Sequence, residues 1–533
     1  MTTSAEDSEP TGTPDETIAR SGAGAEPTLF DRVSRSIAWN ALLLPLITVL
    51  NALTSILVRR GFGLHSAAYD ILLGLSNTLL FYTSLGIPTS LSKFLPEREH
   101  EGGRAAALGF LRQAGSLRVG LLAAVLVPVN VFAEPLAATL LLGEHGALYV
   151  HVVSVLAIGR ALFELVIEGL HSNLGQLSVN LLTLCQAVGE PTLIGLALLF
   201  GYGIGGVVGA LAISALTLTA AGLVPLRRAL TAIPARISAE ARAPVWRDRA
   251  FWRFAIFTYV YELSLYFGGP DFSRTVLGAA LGDASEVALF SVGYYVALMV
   301  VVMMVSGFRG VYRPMFARLR VSGDAEQLRR AFSVVTKVQV ALLLPAAVGL
   351  EVMMPSYIPL LYGRTFEPAV PVARVLVALL FTETAFNLGN IILSIDERYR
   401  PVLAAQSILV IAAPLFLWTA RHHGLIAGVA VLGSARLGSV LVGYFVAQAR
   451  YGTRFPWPFA LRAAPVAAAM GAALLLARPL VGPSALATVA LTVAGVVIFV
   501  AAARVARLVG PDEIDLVRRS RIPGRTWLLA WLG

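Results

Sequence analysis

The sequence predicts an all-α, polytopic membrane fold of about fourteen transmembrane helices, on three observations. First, of 533 residues 57% are hydrophobic and only 14% charged, with a mean hydropathy of +0.74. A soluble domain averages roughly 25% charged residues, and a soluble chain of this length would lack the charge to cover its surface. Lipid as the solvent removes that contradiction. Second, the apolar residues form runs long enough for helical spans and far too long for barrel strands. Third, the net charge of +10 comes from arginines that gather in the loops between the runs. In a soluble chain such a charge would point to nucleic acid; here it orients the chain in a bilayer.

Residues 1–31 are polar and rich in Ser, Thr, Gly and Pro, without a basic stretch leading into a short apolar one. They read as a disordered cytoplasmic tail and not as a signal peptide. A hydrocarbon core of about 30 Å needs roughly 20 apolar residues per helix. Runs near 36–58, 68–90, 115–133, 148–168, 177–200, 204–225, 252–269, 287–308, 332–351, 371–394, 401–420, 425–447, 459–477 and 483–503 satisfy that length. An even number of spans puts both termini on one side. With that side cytoplasmic, loops 93–118, 226–253 and 309–337 hold clustered arginines and lysines inside. Outside stand Arg59, Arg60, Arg274, Arg364, Arg421 and Arg478. The expected location is the cytoplasmic membrane, multi-pass, with both termini cytoplasmic. Residues 504–533 carry arginines followed by Trp527, Leu528, Leu529 and Trp531 and read as a basic amphipathic tail on the inner leaflet.

The chain also looks duplicated. Leu141-Leu142-Gly143 pairs with Leu361-Tyr362-Gly363, Tyr202-Gly203-Ile204 with His423-Gly424-Leu425, and Tyr69 with Phe290, each separated by 220 or 221 residues. The separation covers an even number of spans, so the halves share orientation and an axis along the membrane normal would relate them. The expected organisation is a six-helix bundle at 32–225, a basic cytoplasmic linker at 226–251, a second six-helix bundle at 252–447, two additional helices at 448–503 and the tail. Two facing parallel repeats suit rocking about a central cavity, that is, alternating access.

Several segments carry a family resemblance. Leu85-Gly86-Ile87-Pro88 leads to Lys93-Phe94-Leu95-Pro96-Glu97, and Arg313-Pro314-Met315-Phe316-Ala317 follows in the second half. Leu360-Leu361-Tyr362-Gly363-Arg364-Thr365-Phe366 carries Arg364 where the usual pattern has an acid, and Gly203-Ile204-Gly205-Gly206 has its own second-half counterpart. In this order and spacing, over about 36–505, the chain resembles the lipid-linked oligosaccharide and polysaccharide flippases of the multidrug/oligosaccharidyl-lipid/polysaccharide exporter superfamily. That resemblance implies twelve or fourteen helices in two lobes. It implies a transporter that flips a polyprenyl-diphosphate-linked oligosaccharide from inner to outer leaflet for cell-surface polysaccharide biosynthesis. Lipid-linked glycan and membrane lipids are the implied partners, with other membrane proteins of polysaccharide biosynthesis as a further class and no nucleic acid.

Ionisable groups at mid-membrane cost about 2.5–3.5 kcal/mol each on insertion scales, so each needs a reason. Glu190, Glu262, Glu383 and Arg436 fall there. Glu262, Glu383 and Arg436 are expected as one cluster with Thr382, Thr384, Asn387 and Asn390 adding oxygens. The cluster either locks the second bundle as a salt bridge or leaves one acid to bind a coupling H⁺ or Na⁺. Multidrug relatives carry coupling acids on the seventh and tenth helices, which the resemblance extends to Glu262 and Glu383 by helix and not by motif. Glu190, ahead of Pro191, is the third coupling candidate. Arg160, Glu164 and Glu168 share one helical face, and they either line the cytoplasmic mouth or pair with a neighbouring helix. A diphosphate headgroup calls for cationic donors, arginine above all. Arg160, Arg436 and Lys337 are the candidates, with Arg309 and Arg313 at the entrance unless they serve orientation alone. Arg59 and Arg60 either release product or contact outer headgroups. Asn40 and Asn51 face the cavity or bond between helices.

The single cysteine, Cys185, excludes an internal disulfide and a cysteine-built zinc site and is expected as a small buried hydrophobe. No phosphate-binding loop is present, Gly203–Gly209 has the wrong spacing for a dinucleotide loop, and the seven histidines show no metal spacing. The chain is therefore expected to need no cofactor beyond a coupling ion and to be no enzyme. A cation-coupled exporter of small amphipathic molecules and a lipid II-type flippase share the fold and remain alternatives. A glycan polymerase or ligase is the third reading, and the short outer loops argue against it.

Overall fold

The computed structural model describes residues 29–172, 176–235, 244–321, 324–395, 399–481 and 484–508. Among them the chain is helical throughout, with no strand. The helices are α1 (Leu29–Phe62), α2 (Ala67–Tyr82), α3 (Ile87–Val131), α4 (Ala133–Thr139), α5 (Gly146–Ser172), α6 (Gln176–Leu199) and α7 (Gly203–Ala232). The second half continues with α8 (Arg249–Phe267), α9 (Pro270–Leu281), α10 (Ser285–Val321), α11 (Ala325–Tyr362), α12 (Ala369–Phe386), α13 (Leu388–Ile395), α14 (Tyr399–His423) and α15 (Leu425–Tyr451). Helices α16 (Trp457–Ala477) and α17 (Ala485–Val505) follow.

Twelve stretches among the described residues are long and apolar enough to cross a membrane, against about fourteen expected. Two places make the difference. Pro45–Tyr82 runs through α1 and α2 as one stretch, and α8, with Arg249, Arg253 and Glu262 among its aromatic residues, is less apolar than the twelve. The chain is a multi-pass membrane protein.

The helices outrun the apolar runs. Charged segments expected as loops are helical: α3 carries most of 93–118, and α10 and α11, with 37 and 38 residues, carry most of 309–337. A crossing needs only roughly 20 residues, so these helices extend past the hydrocarbon. The span expected at 68–90 breaks at Thr83–Gly86. Gly86 has φ 69°, and a Cβ there would lie 2.2 Å from the Ala255 carbonyl oxygen, so glycine alone lets α3 begin this close to α8. Helix α3 then kinks at Gly103, whose φ of 61° no helix accommodates. Asp248, Asp324 and Ser484 start α8, α11 and α17 by accepting hydrogen bonds from backbone N–H groups of the first turn.

The residues paired in the expected repeat can be compared in turn geometry and in packing. Gly143 and Gly363 have φ of 75° and 100°, and Gly203 and Gly424 have 65° and 85°, so each matched pair turns the chain with positive φ. Tyr69 and Phe290 are both buried. Helix α5 packs on α7 as α12 packs on α15, α6 on α7 as α14 on α15, and α2 on α5 as α10 on α12. The halves meet where α2 lies on α9 and α10 lies on α1. The largest apolar core runs from Val58 and Ala67 to Leu432 and so spans both halves.

Candidate functional site

At the meeting of the halves lies a cavity of about 270 Å³ walled by α1, α2, α5, α6, α9 and α10. Arg59, Arg160, Arg274, Glu190, Asn77 and Tyr295 are among its lining residues. Two of the three arginines are tied down. Arg59 and Asp70, both fully buried, form a two-pronged pair at 2.8 and 2.9 Å, and Arg59 also donates to Ser55 Oγ at 2.8 Å. Arg274 donates to Asp271 at 3.1 Å. The Tyr295 ring lies 5.1 Å from the Arg59 guanidinium and 4.5 Å from that of Arg274, so its π face attracts both. Burial opposes the charge on Arg274, yet Tyr295, Asp271 and Asp70 outweigh burial and hold its pKa above the ordinary arginine value.

Arg160 stands apart. It donates to Asn77 Oδ1 at 2.8 Å, Asn77 passes a bond to Asp271 at 3.0 Å, and among the described residues Arg160 forms no ion pair. Glu190 is its opposite number: it accepts from Gln186 at 2.8 Å and has no ion-pair partner among the described residues. The cavity thus holds two neutralised arginines, one uncompensated cation and one uncompensated carboxylate. Such a site can offer its uncompensated cation to an anionic guest, and its net charge rises by one if Glu190 takes up a proton.

Of the expected headgroup residues, Arg160 alone lines this cavity. Arg436 sits in the second half, bound two-pronged to Glu383 at 2.8 and 2.9 Å and donating to the Gly268 carbonyl at 2.8 Å. Lys337 is half-buried on α11 and not part of the cavity wall. Arg309 and Arg313 lie on α10, but their side chains, like that of Asn40, fall outside the described residues, as do residues 1–28 and the tail from 509.

The expected cluster of Glu262, Glu383 and Arg436 does not form. Glu383 and Arg436 pair, but Glu262 accepts from Thr89 Oγ1 at 2.8 Å, on the opposite half of the molecule. Sequence position gives depth in the membrane; it leaves open which way around the helix axis a side chain points, and α8 turns Glu262 toward α3. Thr382 and Thr384 donate to carbonyls of their own helix and not to Glu383. The face shared by Arg160, Glu164 and Glu168 pairs with neighbouring helices: Arg160 with α2 through Asn77, and Glu164 with Arg118 of α3 at 3.0 Å. Glu168 is half-buried one turn farther on. Asn51 lines the cavity, and Cys185 is exposed on α6 instead of buried. His422 and His423 belong to the last turn of α14 and pack edge-on against Trp418.

Charge clustering alone concealed four arginines. Arg59 is buried in the cavity instead of meeting outer headgroups, and Arg274 is buried instead of lying in an outer loop. Arg98 and Arg118, expected in a basic loop, are buried against Asp248 and Glu164. One signal was present: Asp70 is the acid facing Arg59 across the short turn at 63–66, and Asp271 precedes Arg274 by three residues.

Residues 120–371 match the family described as polysaccharide biosynthesis protein. The fold is similar to that of the lipid II flippase MurJ in an inward closed conformation, with a TM-score of 0.69 at 12% identity over 87% of this chain and 98% of that one. It is also similar to an inward-facing multidrug resistance MATE family transporter of the MOP superfamily, with a TM-score of 0.60 at 14% identity over 78% of this chain and 98% of that one. No curated protein sequence matches the chain.

Proposed function

We propose, from the match of residues 120–371 to the family described as polysaccharide biosynthesis protein and the likeness of fold to a lipid II flippase, that this chain flips a polyprenyl-diphosphate-linked oligosaccharide between leaflets. The observation that carries the proposal is the cavity of Arg59, Arg160 and Arg274 between the halves. A diphosphate offers several anionic oxygens to planar guanidinium donors. Arg160 engages it without giving up an ion pair. Asp70 and Asp271 hold Arg59 and Arg274, so the diphosphate meets the charge of Arg160 first, with the second face of the other two guanidinium groups beside it.

Hydrogen bonds join the halves on both sides of the cavity. Towards one end, Thr89 bonds Glu262 and Arg98 bonds Asp248. In the cavity wall Asn77 bonds Asp271, and towards the other end Arg60 bonds the Leu360 and Leu361 carbonyls. In an alternating-access cycle one set breaks while the other holds. The segments 32–225 and 252–447 act as the rocking lobes, both termini lie in the cytoplasm, and the membrane is the cytoplasmic one. Glu190 is the acid placed to bind a coupling H⁺ or Na⁺, since it faces the headgroup cavity with its charge uncompensated. Depletion of the protein followed by leaflet assignment of lipid-linked glycan tests the proposal. Accumulation in the inner leaflet supports it; an unchanged distribution with altered drug sensitivity would favour export of small amphipathic molecules instead.

A further inference from the structure

A second polar pocket, of about 460 Å³, opens where the C-terminal ends of α1 and α11 meet the connection between α16 and α17. Arg60, Arg364 and Arg478, from three separate stretches of chain, line it, and among the described residues no carboxylate does. Arg60 donates to the carbonyls of Leu361 at 2.9 Å and Leu360, the unpaired C-terminal end of α11. Arg478 donates to the Val352 carbonyl at 3.2 Å. The Arg364 side chain has no hydrogen-bond or ion-pair partner among the described residues. Each guanidinium carries five N–H donors, so most of them remain available.

Three cations without a counter-charge repel one another unless an anion joins them. The rest of the pocket says what kind of anion. Its other wall is mostly apolar, with Pro355, Pro359 and Leu491 beside the hydroxyls of Ser356 and Thr488. Leu491 lies six residues into α17, roughly 9 Å deeper than the helix start. Beyond it, Val493, Val496 and Val497 of α17 are exposed, as a lipid-facing helix requires. Polar donors at the helix ends and an apolar groove running inward match an amphiphile with a charged head and a hydrocarbon chain, whereas a free anion would leave the groove empty.

The geometry points to a binding site for one anionic phospholipid of the surrounding bilayer, its phosphate held by Arg60, Arg364 and Arg478 and its chain laid against Pro359 and Leu491. This site is separate from the cavity: Arg59 turns inward and Arg60, one residue on, turns outward. A bound lipid would join α1 of the first half to α11 and to α16–α17.

Native mass spectrometry of the full chain released from phosphatidylcholine nanodiscs containing phosphatidylglycerol tests the site. The wild type is expected to retain one phosphatidylglycerol. The double variant Arg364→Gln/Arg478→Gln should retain at least tenfold less, and Arg421→Gln, an exposed arginine in the last turn of α14 outside the pocket, should retain as much as wild type. If the double variant does not fold, Arg364→Gln alone, at an exposed position without a partner, gives the reading. Equal retention by wild type and pocket variant overturns the site. Equal loss in Arg421→Gln overturns it in favour of general surface charge, and displacement by inorganic phosphate at matching concentration overturns the lipid in favour of a free anion.

Discussion

Replacing Arg160 by glutamine separates binding from folding more cleanly than any other change in the cavity. In the folded protein Arg160 makes one hydrogen bond, to Asn77, and breaks no ion pair when removed. The loss in stability is therefore about 1 kcal/mol, the net worth of an ordinary hydrogen bond. A charge-assisted bond to a diphosphate is worth about 1.5–3 kcal/mol, or roughly 10- to 150-fold in affinity. Arg59→Gln would be a poor substitute, because it strands Asp70 in a fully buried site at a cost of about 3–5 kcal/mol. The assay is the accessibility of lipid-linked glycan to a membrane-impermeant glycosidase in intact protoplasts, paired with thermal unfolding of the purified variant. Arg160→Gln should cut the outer-leaflet signal at least tenfold while the unfolding temperature moves little. Full flipping by a well-folded Arg160→Gln protein would refute the assignment of the headgroup to this cavity.

Three further outcomes follow from the same geometry. Asp70→Asn should destabilise the protein by about 3–5 kcal/mol, and Arg59→Gln/Asp70→Asn should recover part of that loss, which a double-mutant cycle of thermal unfolding measures. Glu190→Gln should leave folding intact but flatten the dependence of transport on pH or sodium, read as flux into proteoliposomes under imposed gradients; an unaltered dependence rules Glu190 out as the coupling acid. Gly86→Ala should force α3 away from α8, since its Cβ would lie 2.2 Å from the Ala255 oxygen, and should slow flipping together with a loss of stability visible in detergent unfolding.

The parts of this molecule legible in the sequence are those set by one-dimensional quantities. Apolar run length located the helices, including the Gly- and Ala-rich α7 and α16, because lipid selects on length and polarity alone. The glycines that anchor the expected repeat were legible as turns, and Gly143 and Gly363 both have positive φ. Helix ends were not, because α3, α10 and α11 continue beyond the hydrocarbon with charged residues on them. The site was legible in its residue types but not in their direction. Glu190 was read as a mid-membrane charge and Arg160 as a headgroup candidate nearer the cytoplasmic end, and both line one cavity. Glu262 turns toward Thr89 of α3 instead of joining Glu383 and Arg436, and Arg59 and Arg274 look in sequence like ordinary loop arginines until tertiary packing turns them inward.

The most direct measurement is a cryo-electron microscopy map of the protein in nanodiscs with a polyprenyl diphosphate. The account predicts diphosphate density between Arg59, Arg160 and Arg274, within hydrogen-bond reach of Arg160. Density for the headgroup beside Arg436 and Glu383, or an unchanged cavity at saturating ligand, would contradict it.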